Sequence, residues 1–184
     1  MPLIVIVIHR NGAIVAIIIR PEVPEDHQKI RTINLSAFET DVEANLIEAL
    51  RRSGIPLISL VAEQNGELVG HILFSPVRME GSGSDVSIAG LAPMAIFPEY
   101  QKQGIGTLMI EEGVKRCHEA GYAAIVVLGH PQYYQKFGFI PSVRFGIRSE
   151  YDVPDDVFMV RELDRGALDG CKGTVKYHEV FNKL

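Results

Sequence analysis

Apolar residues gather into short β-branched runs in some stretches of this chain and recur at helical spacing in others, so strands and helices can be read in turn. The first two runs, Leu3 to Ile8 and Ala13 to Ile19, are separated by His9, Arg10 and Asn11. Neither approaches the roughly 20 apolar residues of a spanning helix, and no basic start region or small-residue cleavage site frames them. They read as a β-hairpin turning at Asn11-Gly12, a dipeptide that readily takes positive φ. The competing reading is an extension outside the main fold. Residues 1–16 are therefore expected to be an extension or extra strand, 17–165 the main domain, and 166–184 a segment packed on it.

A strand over Ile17 to Arg20 stops at Pro21, and Pro24-Glu25-Asp26 opens a helix whose apolar positions are Ile30, Ile33, Leu35 and Phe38. A second helix, Asp41 to Ser53, places Val42, Leu46, Ala49 and Leu50 on one side and ends at Gly54, a favoured residue just past a helix. Strands Ile58 to Gln64 and Glu67 to Pro76 flank Asn65-Gly66, which predicts an antiparallel hairpin. After a polar loop, Glu80 to Asp85, comes a long strand from about Val86 to Phe97. Gly90 and Pro93 lie inside it, and both predict a bulge or splay. A helix follows with Ile105, Leu108, Met109, Gly113, Cys117 and Ala120 on one face, ending at Gly121. Lys115, Arg116, Glu111 and Glu112 read as an ordinary charged helix face, and His118 beside Glu119 as solvated. Ala123 to Leu128 suits a buried strand, and Gln132 to Phe137 a short helix ending at Gly138. Further strands are expected at Val143 to Ile147, Phe158 to Leu163 and Gly173 to Tyr177.

Composition narrows the possibilities. A chain of 184 residues supports one sizeable core, and no shift in composition marks a second domain. Eighteen Lys and Arg against 23 Asp and Glu give a net charge of −5, which argues against general nucleic-acid binding. Cys117 and Cys171 have no close partners in sequence, so neither a disulfide framework nor a cysteine metal site is expected. A reducing cytoplasm fits this.

The segment richest in chemistry is Gln101-Lys102-Gln103-Gly104-Ile105-Gly106-Thr107. A strand, a glycine turn and then a helix point several backbone N–H groups at one spot. Glycine lets the backbone approach a ligand, and the positive end of the helix dipole favours anions. Lys102 adds charge at the rim. A Walker loop would need Gly-Lys-Ser/Thr, but Thr107 follows Gly106 directly. A Rossmann fingerprint would need Gly or Ala where Met109 stands, and a βαβ unit in place of a meander. A tight connection without any ligand is the remaining alternative.

Gln101-x-x-Gly104-x-Gly106 after an extended apolar strand resembles the acetyl-coenzyme A motif of the GNAT acetyltransferase superfamily, and Tyr134-Gln-Lys-Phe-Gly138-Phe139 resembles that superfamily's later Tyr-x-x-x-Gly-Phe turn. The order of elements from Ile17 to about Leu163 agrees. The resemblance implies an α/β (α+β) fold with a mixed, mostly antiparallel central sheet flanked by helices and a splay between adjacent strands at the cofactor site. It implies an N-acetyltransferase that takes acetyl-CoA as co-substrate, with no metal, acting on an amine acceptor, with no nucleic-acid or membrane partner; a homodimer stays open. It also implies that Met94, Ala95 and Ile96 lie along the pantetheine arm, that residues 101–107 hold the pyrophosphate, and that Tyr134 protonates the departing thiolate. A phenol suits that task, with a reference pKa of about 10. The alternative for Tyr134 is a packed aromatic beside Tyr133, Phe137 and Phe139.

The acceptor amine needs a base, because alkyl amines are mostly charged at neutral pH. Pro93 stands where many relatives carry a carboxylate. His71 in the second hairpin strand and His130 at the end of a later strand are the substitutes, with a reference pKa near 6.5. A hydrogen-bonded sheet histidine is the plain alternative for His71, and a strand-end residue beside Pro131 for His130.

Overall fold

The computed structural model describes residues 4–10, 13–82 and 85–183. Strand β1 (Ile4–Arg10) pairs antiparallel with β2 (Ala13–Pro21), so Arg10 lies opposite Ala13; the Asn11-Gly12 turn itself falls outside the described residues. β2 continues past residue 16 and pairs with β3 (Ile58–Gln64). β3 turns into β4 (Glu67–Ser82) through Asn65 and Gly66, whose φ angles of 54° and 82° are those a two-residue hairpin requires.

β4 pairs antiparallel with β5 (Ile88–Ile96), and β5 runs parallel to β6 (Ala124–Leu128) after a crossover through helix α3 (Ile105–Glu119). The short helix α4 (Pro131–Tyr134) and strand β7 (Ile140–Pro141) follow. β8 (Ile147–Ser149), β9 (Phe158–Glu162) and β10 (Lys172–Lys176) complete the sheet, with β9 antiparallel to β6. The order is β1-β2-β3-β4-β5-β6-β9-β7, with β10 against β4 and β8. The sheet is mixed and mostly antiparallel.

Two helical layers cover it. On one face α3 lays Ile105, Met109, Ile110 and Cys117 against Ile17, Leu60, Ile72 and Phe74. On the other, α1 (His27–Ala37) and α2 (Val42–Ser53) lay Ile30, Leu46, Ile47 and Leu50 against Val61 and Leu73. Each such fully buried side chain contributes about 1.5–3 kcal/mol of burial free energy.

Several sequence expectations are corrected. Leu35 and Val42 are exposed, at 44% and 41%; in α1 the buried row after Ile30 and Ile33 is completed by Asn34. β4 does not stop at Pro76 but runs to Ser82, because β10 pairs with it from Arg78 to Ser82. Pro76 is tolerated because β3 ends opposite Phe74, leaving that edge of β4 without β3 as a partner there. Val143 lies in a short 3-10 turn, Ser142–Phe145, and the strand starts only at Ile147, after Gly146 at φ 71°. Glu112 and Arg116 are 5% and 7% exposed and bonded to each other, so this part of α3 is no solvated face. His118, by contrast, is exposed as expected, and bonds Asp164 at 3.1 Å.

Candidate active site

The sheet splits beside β5. β5 and β6 pair only as far as Leu91 opposite Val127, while β5 stays paired with β4 through Gly70 opposite Ile96. Pairing with β4 slips between Ile72 and Phe74, so one extra residue of β5 is taken up near Pro93, after a cis Ala92-Pro93 bond. This is the irregularity expected from Pro93. Past Leu91 the β6-facing edge of β5 carries no β6 ladder bonds, which leaves backbone groups of Met94 to Ile96 available to an extended ligand.

At the end of β5 the chain turns through Pro98–Tyr100 into the glycine segment. Lys102 (φ 58°) and Gly104 (φ 86°) both take left-handed backbone, and Gly104 is the residue before the first turn of α3. The first N–H groups of a helix have no partner within it, so this corner collects donors at the positive end of the helix dipole. A Cβ added at Gly104 would meet nothing, whereas one at Gly106 would collide with the Tyr133 hydroxyl oxygen. Two glutamines pin the turn: Gln101 Nε2 donates to the Ile96 carbonyl at 3.1 Å and Gln103 Nε2 to the Glu99 carbonyl at 2.7 Å.

These elements enclose a cleft of about 540 Å³. Met94, Ala95, Ile96, Gln101, Lys102, Gly104, Gly106 and Thr107 line it. Gln103 and Ile105 do not: Gln103 turns back to hold Glu99, and the Ile105 side chain is 1% exposed in the core. Ala37, Phe38, Tyr133 and Lys136 also line the cleft, and none had been singled out for a ligand. Ala37 and Phe38 arrive from α1 through tertiary packing alone. Tyr133 and Lys136 had a signal, their spacing of three on a helical turn, which puts both on one side of it. Lys136 Nζ lies 5.8 Å from the Tyr133 ring centroid.

Tyr134 is 9% exposed and packs edge-on against Tyr133 and Phe139, with centroids 5.2 and 5.7 Å apart. Its ring abuts Gly129, just past β6 at the mouth of the split. Burial, and then the neighbouring Tyr133, push its hydroxyl above the ordinary tyrosine range, so it stays protonated throughout the neutral range. His130 is exposed at the start of α4. His71 is fully buried on β4; it does not line the cleft itself but is the strand neighbour of Ala95, which does. Burial pushes the Cys117 thiol up to about 12, which leaves it inert as a nucleophile. Among the described residues no three metal-ligating side chains come together, and no helix is long and apolar enough to cross a membrane.

The family model for an acetyltransferase (GNAT) domain matches residues 19–141, the stretch that builds this cleft. The chain belongs to the GNAT acetyltransferase family. It is thereby an acyltransferase of the acetyl-CoA-dependent N-acetyltransferase type. Among relatives, the N-acetyltransferase YhbS of Escherichia coli strain K12 is 37% identical over 168 residues, covering 91% of this chain and 99% of that protein. The N-acetyltransferase YjhQ of the same organism is 35% identical over 134 residues, 71% of this chain and 74% of its own length. Among solved structures, Escherichia coli YhbS in complex with CoA superposes with a TM-score of 0.88 at 36% identity, covering 95% of this chain and 96% of that one. A GNAT acetyltransferase from Brucella melitensis in complex with acetyl-CoA gives 0.73 at 32% identity, covering 90% and 97%.

Proposed function

We propose that this GNAT protein binds acetyl-CoA across the split sheet and transfers its acetyl group to a primary amine. The observation that carries the reading is the meeting, in one cleft, of the β5 segment Met94–Ile96, unpaired on its β6-facing edge, with the donor-rich corner at Gly104–Thr107. The corner suits a pyrophosphate and the strand suits the amide-bearing pantetheine arm, so one extended ligand satisfies both. Lys102 and Lys136 supply positive charge at the phosphate end, and the Tyr133 hydroxyl over Gly106 donates there.

Acyl transfer needs a neutral amine, a stabilised oxyanion and a proton for the leaving thiolate. In this reading a backbone N–H of Met94–Ile96 binds the thioester oxygen, and Tyr134 protonates the thiolate, a role supported by its protonated hydroxyl and its ring against Gly129 at the mouth of the split. Residues 17–165 form the catalytic unit in this reading, with β1 added at the sheet edge. A cytoplasmic location is part of the same proposal.

The test is calorimetry with CoA followed by thiol release from acetyl-CoA across a panel of amines. Micromolar binding with amine-dependent release supports the reading. No CoA uptake removes it, and uptake with no release under any amine leaves a cofactor-binding sensor in its place.

A further inference from the structure

A largely buried polar chain links three elements, α2, β3 and β4, to the loop after β2. Glu22, just after β2, accepts a 2.6 Å bond from the Ser59 hydroxyl on β3 and two bonds, of 2.9 and 2.6 Å, from the Arg51 guanidinium on α2. Ser59 Oγ lies 2.9 Å from His71 Nε2, and that nitrogen is 3.7 Å from Glu22 itself. A serine hydroxyl has one proton, and here it goes to the carboxylate, which can only accept. The bond to His71 must then run from Nε2–H to Ser59 Oγ. Neutral histidine carries one N–H, so Nδ1 is bare, a lone pair rather than a donor.

That lone pair has no partner among the described residues, and it is not alone. Asn34 Oδ1 on α1 and Ser75 Oγ, four residues along β4 from His71, are also buried and unpaired. Asn34 follows Ile30 by one turn on the buried row of α1, and α1 packs across both β4 and β5. Asn34 thus lies on the face of α1 turned to the sheet, and His71 on a strand that α1 crosses. α1 ends at Ala37, on the cleft, and His71 is the strand neighbour of Ala95, on the cleft. Buried polar atoms of this kind are satisfied by water or by ligand.

We propose that His71 is the proton acceptor for the amine substrate, reached through a bridging water from the cleft, with Ser59 and Glu22 as positioning residues that hold its Nε2–H tautomer. The inference rests on the acyl-transfer reading above. An ammonium gives one proton to Nδ1 through the water, and its freed lone pair attacks the thioester carbonyl carbon. The C–N bond forms, the C–S bond breaks, and the thiolate takes the Tyr134 proton, which the amine's second proton replaces. The His71 proton leaves to solvent afterwards, so each turnover releases one proton. Glu22 offsets the transient imidazolium. The charged groups around His71 are Glu22 and Arg51, with His27 3.6 Å from Glu22 and the Arg20–Asp26 pair beyond it. Burial holds His71 neutral, with Glu22 opposing and Arg51 assisting that shift, so the base is ready below pH 6.5 as well as above it.

His71→Gln tests this, because the glutamine amide N–H can keep the bond to Ser59 while offering no basic nitrogen. Expected are CoA affinity within twofold, retained cooperative melting, thiol release lowered at least 100-fold at pH 7, and loss of the acid-side fall in the pH–rate profile. Ser59→Ala should give an intermediate loss and shift the His71 tautomer seen by nitrogen-15 NMR of the CoA complex. Turnover of His71→Gln within threefold of wild type, an Nδ1–H tautomer, or loss of the acid limb in His130→Ala instead overturns the assignment. A wild-type protein that binds CoA but releases no thiol with any amine sinks the acyl-transfer reading and this one with it. A turnover-competent His71→Gln sinks this one alone.

Discussion

The hydroxyl oxygen of Tyr133 sits against the α-carbon of Gly106, so close that no side chain fits between them. The glycine is needed here for approach, and the phenol takes the space a side chain would occupy. Gly106→Ala must displace the Tyr133 ring from the anion corner. A rise in the CoA dissociation constant of at least tenfold, about 1.4 kcal/mol, is expected by calorimetry. An unchanged constant would mean that neither group faces the phosphates.

The adjacent tyrosines should separate by role. Tyr134→Phe is expected to lower kcat by about 100-fold or more while leaving the CoA dissociation constant within twofold. Tyr133→Phe should weaken CoA binding with a smaller effect on kcat. Because burial lifts the Tyr134 hydroxyl above its ordinary range, wild-type kcat should not decline from tyrosine ionisation near pH 10. Exchanged phenotypes would reassign the proton donor.

A second glycine on α3 serves packing. A Cβ at Gly113 would enter the ring of Phe74, which is 1% exposed in the core between helix and sheet. Alanine gains about 1 kcal/mol of helix propensity but overpacks the site by about 1–3 kcal/mol. Thermal denaturation of Gly113→Ala should therefore show a lower Tm, partly restored by adding Phe74→Leu. A raised Tm would show that the ring has room to move.

The Glu22 network predicts acid lability in two stages. His71 is held below its ordinary value mainly by burial, so the unfolded chain binds its proton first, and stability falls as pH drops below about 6.5. For Glu22, burial pushes upward but is outweighed by the nearby His71 and by bonds from Arg51 and Ser59. Its carboxyl lies well below the usual range. Its contribution is complete above about pH 4.5 and is lost as pH falls further. Denaturant melts from pH 8 to 3 should show both declines. Glu22→Gln, which leaves Arg51 short of its partner, should cost about 3 kcal/mol at pH 7 and flatten the lower one. A wild-type curve that is level from pH 7 to 4 would remove this account of the network.

Local chemistry determined much of this protein in advance of any structure. Asn65-Gly66 forms its hairpin because those two residues accept positive φ in sequence. The corner at residues 101–107 forms because Gly104, at φ 86°, caps the start of α3 in a backbone conformation that glycine accepts freely. The interruption at Pro93 follows from a missing donor. Each of these depends on residues a few positions apart, and so each is visible in order along the chain.

What the tertiary structure alone decided depends on partners far apart in sequence. β4 extends to Ser82 because β10 arrives from the other end of the chain, and Ala37 and Phe38 reach the cleft because α1 crosses the sheet. Asn34 rather than Leu35 turns inward because helix docking, not spacing, chose the buried row. Glu22, Arg51, Ser59 and His71 carry no shared motif, and only the side-by-side pairing of β2, β3 and β4 under α2 makes them one chain of hydrogen bonds. A sequence records which groups can bond; burial and long-range pairing settle which of them must.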